Sequence, residues 1–217
     1  MIVLLMVLEI GEYNMNLDQI YNKYKLKSNY ILSDTYEEQE EFHRTSIKKI
    51  IPLSLSMLPQ KNMDISIIDI GCANGFCLDE LHTLGYTNLT GVSIVKKEIE
   101  IIKKKGHNGY ILDMVNLSKI KDNKYNLIYS RHSLEHAISP WLAINEMLRI
   151  LKKDGLLVIT IPYSTFVSNS AGTHYLVPTD IQMQAMLSKI NVQSKTLFTY
   201  NKIEDTFSET TYFIKES

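Results

Sequence analysis

The sequence predicts an α/β protein: a doubly wound, mostly parallel sheet of seven strands, closed by an antiparallel C-terminal hairpin and preceded by a helical extension. Three observations carry that prediction. Strand-like and helix-like stretches alternate regularly from Asp64 to Pro162, and such alternation implies right-handed crossovers and a parallel sheet covered on both faces. The first strand, Ile67-Ile68-Asp69-Ile70, is β-branched at three of its positions, as a strand buried on both sides is, and it runs straight into a turn with glycines at 71 and 75. Beyond the alternation, two β-prone runs, Val192 to Tyr200 and Thr210 to Ile214, flank a polar stretch from Asn201 to Ser208 and read as a hairpin.

At 217 residues the chain has room for one domain, expected over residues 61–217, and an extension over residues 1–60. Leu17, Ile20, Tyr21 and Tyr24 mark a helix over 16–24. Ser33 and Asp34 offer the cap of a second, with an acid-rich first turn from Glu37 to Glu41 that suits the positive end of a helix dipole, and Pro52 is expected to end or kink it. In the domain, Cys77, Leu81 and Leu84 stripe a helix ended by Gly85, and Leu89 to Ile94 is the next strand. Val95, Ile99 and Ile102 give a helix that stops at Gly106, Tyr110 to Leu112 a third strand, and Tyr125 to Ser130 a fourth. Ile144, Met147, Leu148 and Leu151 lie on a helix that Lys152, Lys153 and Gly155 are expected to close, before a fifth strand from Leu156 to Ile161. Thr179 and Gln182 are spaced as a capping box for a helix bearing Met183, Met186, Leu187 and Ile190.

Composition excludes several classes. With 23 basic against 24 acidic side chains the net charge is −1, so no nucleic acid or other polyanionic partner is expected. Two cysteines, Cys72 and Cys77, are too few for a disulfide framework and fit a reducing, cytoplasmic setting. The apolar run from Met1 to Ile10 falls short of the ~20 residues that span a bilayer. It also lacks a signal peptide's basic start, and Met15 is an alternative first residue.

The strand, glycine turn and helix around residue 70 form a nucleotide cradle, because a backbone without Cβ approaches a ligand closely and the first helical N–H groups face it. A dinucleotide site asks for Gly-x-Gly-x-x-Gly, whereas this turn has Ala73 between Gly71 and Gly75, which suits a smaller nucleoside. Asp69-Ile70-Gly71-Cys72-Ala73-Asn74-Gly75 resembles motif I of the class I S-adenosylmethionine-dependent methyltransferases. About 60 residues on, Tyr125-Asn126-Leu127-Ile128-Tyr129-Ser130-Arg131-His132-Ser133-Leu134-Glu135-His136 resembles the fourth-strand motif of the small-molecule members, with Asn126 where the family usually has Asp.

The resemblance implies a Rossmann-like methyltransferase fold, S-adenosyl-L-methionine as cofactor, and a small-molecule acceptor, methylated at a hydroxyl oxygen. It places the cofactor against Asp69, Gly71, Cys72, Ala73, Gly75, Ser93, Ile94, Asp113, Met114, Ser130 and Arg131. The N-terminal helices would lie over it as lids, with Tyr21, Tyr24, Tyr30 and Tyr36 as candidate pocket lining. Ser93 departs from the family, which usually carries an acid there to bind the ribose hydroxyls; a neutral hydroxyl would forfeit roughly 1 to 2 kcal/mol. His132 and His174 are the candidate catalytic bases, since histidine titrates near neutrality and a base assists transfer to a hydroxyl.

Two other readings stand beside this one. Ser93 with Lys96 and Lys97 could serve an NADP 2′-phosphate, and Ser93 with Asn126 could mark a non-catalytic binding protein. No metal is expected, although His132-x-x-Glu135-His136 also has the spacing of an inverted zinc-protease signature.

Overall fold

The computed structural model describes residues 36–59, 62–163, 174, 176–201 and 206–216. The helix expected over 16–24, the caps at Ser33 and Asp34, and the tyrosines at 21, 24 and 30 lie outside the described residues. Helix α1 spans Tyr36–Ser56, then β1 Ile67–Ile70, α2 Phe76–Thr83, β2 Leu89–Ser93, α3 Lys96–Lys104 and β3 Asn108–Ile111. Strand β4 covers Tyr125–Arg131, followed by a 3-10 turn at Leu134–His136, α4 Pro140–Ile150, β5 Leu151–Pro162, α5 Asp180–Leu187, β6 Val192–Asn201 and β7 Thr206–Glu216.

These strands form one seven-stranded sheet in the order β3-β2-β1-β4-β5-β7-β6. β1 to β5 run parallel, whereas β7 is antiparallel to both β5 and β6. Strand order reverses between β1 and β4, and in an open sheet a ligand binds outside the carboxyl ends of the strands at such a reversal.

Both faces of the sheet are covered, as the unbroken apolar run of β1 requires; Ile67, Ile68 and Ile70 are fully buried. On one face Ile68, Ile128 and Ile159 meet Ile144 and Met147 of α4 and Met183 of α5. On the other, Ile67, Leu127 and Val158 meet α1 through Ile50 and Ile51, and α2 through Leu78 and Leu81. α1 falls within the expected extension, yet it packs as part of this core.

Three expectations need correction. Pro52 does not end α1; the helix continues through it to Ser56. Burial of Ile50, Ile51 and Ser54 holds it, with the Ser54 hydroxyl donating to the Ile51 carbonyl at 2.8 Å and contacting the Tyr129 hydroxyl. Lys152, Lys153 and Gly155 do not close a helix: α4 stops at Ile150 and the chain turns directly into β5. Leu151, buried, pairs with Tyr125, a register shift follows, and Leu127 then pairs with Leu156. Ladder pairing and burial override the helix-stop chemistry of the basic residues and the glycine. β3 is Asn108–Ile111 rather than Tyr110–Leu112, because its register against Thr90–Ser93 begins two residues earlier. The capping box forms as expected, with Thr179 and Gln182 bonding reciprocally.

Gly91, in β2, shows how tightly β2 lies between α3 and the turn after β1. A Cβ there would stand 2.4 Å from Ile102 Cδ1 and 2.7 Å from Cys72 Sγ. Gly91→Ala is therefore expected to lower the unfolding free energy by about 1–3 kcal/mol, the usual cost of overpacking, measured by urea denaturation at pH 7.

Candidate active site

The turn after β1 and the loop after β4 meet at the sheet's reversal point. Gly71 adopts φ +80°, and a Cβ on it would lie 2.4 Å from Ser133 Cβ, so a side chain at 71 would push the two segments apart. Ser133 donates to the Ile70 carbonyl at 3.0 Å and shares a 2.8 Å hydrogen bond with Ser130. The Gly71 and Cys72 N–H groups both reach the Val92 carbonyl, at 2.8 and 3.0 Å, and Lys105 Nζ donates to the Asn74 carbonyl at 2.8 Å. The two segments singled out in the sequence thus hold each other in place.

They frame a cleft with two compartments, and Gly71, Ala73 and His132 line both. The first takes in Ser93, Ile94, Asp113 and Met114, with Glu98, Ser133 and His136. The second holds Asp69, Cys72 and Arg131 on the sheet side, roofed by His43, Ile47 and Ile51 of α1. Of the expected residues, Gly75, Ser130 and His174 line neither compartment. Ser130 is fully buried and its hydroxyl serves the clamp with Ser133, while Gly75, at φ +85°, begins α2. His174 lies against His136, ring centroids 4.9 Å apart, rather than beside His132.

Asp69 is a buried carboxyl of the second compartment. Only 4% exposed, it has no hydrogen-bond partner among the described residues, and burial pushes its carboxyl up to about 7 against the opposing pull of Arg131. A carboxylate so placed faces the second compartment with no donor from the described residues.

Arg131 and His132 are tied to a residue that the sequence reading missed. Glu209 of β7, its side chain fully buried, accepts from Arg131 Nη2 at 2.6 Å and from His132 Nε2 at 3.0 Å, and contacts the Ser46 hydroxyl. Burial would raise Glu209, but the hydrogen bond from His132 and the charge of Arg131 outweigh it and bring the carboxyl to about 2. Burial and the neighbouring Arg131 instead depress the imidazoles, His132 to about 4 despite its bond to Glu209, and His43, which accepts from Arg131, to about 3. His132 is therefore neutral at pH 7. With Nε2–H directed at an ionised carboxylate, its lone pair sits on Nδ1.

Sequence signals for the missed residues are weak. Glu209 is a lone acid at the start of a β-run and His43 a lone histidine on a helix, while Glu98 follows Ser93 by five residues. The spacing of a zinc protease does not become its geometry: His132 follows the end of β4 at φ +46°, and of the two histidines only His136 lies in a helical turn. Glu135, His136 and His174 do bring one donor atom each within 4.8 Å of one another, a set that could hold a cation. Burial raises Glu135 to about 8.

Residues 37–197 match the methyltransferase domain family. The chain belongs to that family. Among curated relatives of this methyltransferase-family chain, the 27-O-demethylrifamycin SV methyltransferase of Amycolatopsis mediterranei is 24% identical over 64% of the chain and 49% of its own length. A ubiquinone biosynthesis O-methyltransferase of Pelagibacter ubique is 28% identical over 62% of the chain and 58% of its own length. The chain thus spans only about half the length of these relatives. A SAM-dependent methyltransferase from Leishmania major shares the fold with a TM-score of 0.73 at 16% identity, over 90% of this chain and 82% of that one.

Two pH dependences follow from these buried acids. Asp69 ionises near 3.8 when unfolded and about 7 when folded, so its contribution to stability is complete below pH 3.8 and is lost as pH rises through 7. Asp69→Asn is expected to raise the denaturation midpoint at pH 8 more than at pH 4, checked by urea titration at both. Glu209 has the opposite sign: its folded value of about 2 lies below the ordinary 4.5, so its contribution is present above pH 4.5 and disappears as pH falls towards 2. Glu209→Gln strands Arg131 and is expected to cost about 3–5 kcal/mol at pH 7. Denaturation curves taken at falling pH should show the difference narrowing below pH 4.5.

Proposed function

We propose that this protein transfers a methyl group from S-adenosyl-L-methionine to a hydroxyl oxygen of a small molecule. The observation that carries the reading is Asp69: a buried carboxylate without a partner among the described residues, beside a left-handed glycine turn at the sheet's reversal point. Such a group suits the ammonium end of an aminoacyl nucleoside. The nucleoside then occupies the compartment of Ser93, Ile94, Asp113 and Met114, across Gly71 and Ala73 from Asp69. Names of the relatives, one acting on a demethylrifamycin and one in ubiquinone biosynthesis as an O-methyltransferase, favour oxygen as the acceptor atom.

When bound, the donor supplies an electrophilic methyl on a positively charged sulfur. The chain's own task is to align and to move a proton. α1 covers the second compartment with His43, Ile47 and Ile51, which supports a role as the lid over the acceptor. His132, neutral and held by Glu209, takes the hydroxyl proton on Nδ1, and the ionised Glu209 favours the resulting imidazolium against the burial and the Arg131 charge that hold it down to about 4. His174 lies against His136, a residue of the other compartment, rather than beside His132.

Both alternative readings meet a specific obstacle. A 2′-phosphate needs cations, yet Lys96 and Lys97 are exposed and it is the carboxylate of Glu98 that lines the compartment. Asn126, read as a sign of lost catalysis, accepts from the Ser66 N–H and from Lys152 Nζ, both at 3.0 Å, at the start of β4 and away from the cleft. Its departure from the family serves the fold.

Isothermal titration is expected to show binding of S-adenosylmethionine and S-adenosylhomocysteine; heat from neither would overturn the proposal. With labelled donor and a panel of phenols, catechols and other hydroxyl compounds, His132→Gln is expected to lower turnover by about 10²–10⁴ while leaving S-adenosylhomocysteine affinity nearly unchanged. Full turnover in that variant would remove His132 from the chemistry.

A further inference from the structure

Ser93 stands where a ribose-binding acid is expected, and its hydroxyl is already engaged. It donates to Glu98 Oε2 at 2.5 Å and accepts from the Val95 N–H at 3.0 Å. A hydroxyl has one proton, and this one is spent. What Ser93 holds out towards the nucleoside compartment is therefore another residue's carboxylate.

That carboxylate is oddly placed for a helix residue. Glu98 lies in the first turn of α3, beside the exposed Lys96 and Lys97, yet it is only 7% exposed and lines the compartment with Ile94, Asp113 and Met114. Lys96 pairs with Glu100 at 3.6 Å in solvent and leaves Glu98 alone. Glu98 has one hydrogen bond, from a neutral hydroxyl, and no cation or second donor meets it among the described residues. The ordinary reason for a glutamate in a first turn is to cap the backbone N–H at the helix start. Here that N–H, on Val95, bonds to Ser93 instead. A buried carboxylate that neither caps its helix nor pairs with a charge lacks donors, and two adjacent hydroxyls on a ligand supply them.

We infer that Glu98 accepts hydrogen bonds from the ribose hydroxyls of the methyl donor, with Ser93 as the positioning residue that aims it. This rests on the donor reading above. The acid has moved from the end of β2 to the first turn of α3, and the Ser93 hydroxyl bridges the displacement. The positive end of the helix dipole favours a negative charge at that point.

The test is binding, read by isothermal titration at pH 7.5 with S-adenosylhomocysteine and with its 2′,3′-dideoxy analogue. The wild-type protein is expected to prefer the natural ligand by about tenfold or more, the loss of charge-assisted hydrogen bonds. Glu98→Gln should weaken S-adenosylhomocysteine by a similar factor and leave the analogue unchanged, so that the preference collapses. Ser93→Asp combined with Glu98→Gln should restore it, by returning an acid to the end of β2. Should the glutamine variant fail to unfold cooperatively, Glu98→Asp, which withdraws the same charge by one methylene, is read in its place. A preference that survives loss or withdrawal of the Glu98 carboxylate overturns the inference. So does equal wild-type affinity for the two ligands. In both cases S-adenosylhomocysteine still binds and the methyltransferase reading stands; absence of any binding overturns both together.

Discussion

The site depends on one steric condition: nothing may project from residue 71. The turn after β1 and the loop after β4 approach until the position of a Gly71 Cβ lies 2.4 Å from Ser133 Cβ, far inside van der Waals contact, and only glycine permits that at φ +80°. Ser133 then closes the contact by bonding to the Ile70 carbonyl and to Ser130. Because β1 and β4 are neighbours at the sheet's reversal, this contact sets the floor of the cleft and determines which residues face each compartment. Asp69 and His132, sixty-three positions apart in the chain, become parts of one surface through it.

A second constraint is electrostatic. Arg131 is nine-tenths buried and could not remain so without a counter-charge. Glu209 provides it from β7, the strand whose antiparallel run beside β5 separates this sheet from an all-parallel dinucleotide-binding one. The same carboxylate sets the tautomer of His132. One inserted strand therefore both completes the sheet and orients the His132 imidazole. Asp69 pulls the other way: buried with no hydrogen-bond partner among the described residues, it costs stability above neutrality. The two acids differ because one has Arg131 and His132 in hydrogen-bond reach and the other only feels Arg131 at a distance.

How much could be read from the chain alone follows from the range of each interaction. Ile67 to Gly75 declared a buried strand and a tight turn because burial on both faces and a left-handed backbone each leave a local mark. Thr179 and Gln182 declared a capping box for the same reason. Lys152 to Gly155 misled, since their helix-stop chemistry is local while the pairing of Leu151 with Tyr125 is not. Read as a helix stop, Pro52 misled likewise: the loss of one helical hydrogen bond is legible, whereas the burial that outweighs it is not.

The sequence by itself determined the doubly wound class, the order of its elements and the glycine turn, because side-chain period and backbone preference act within a few residues. Tertiary structure alone decided that Glu209 would neutralise Arg131, that Ser130 would be spent inside the fold, and that Glu98 would face the compartment Ser93 was expected to serve. Those outcomes turn on which strands lie side by side and which face of a helix is buried. A carboxylate carries no mark of its eventual partner until the chain has closed around it.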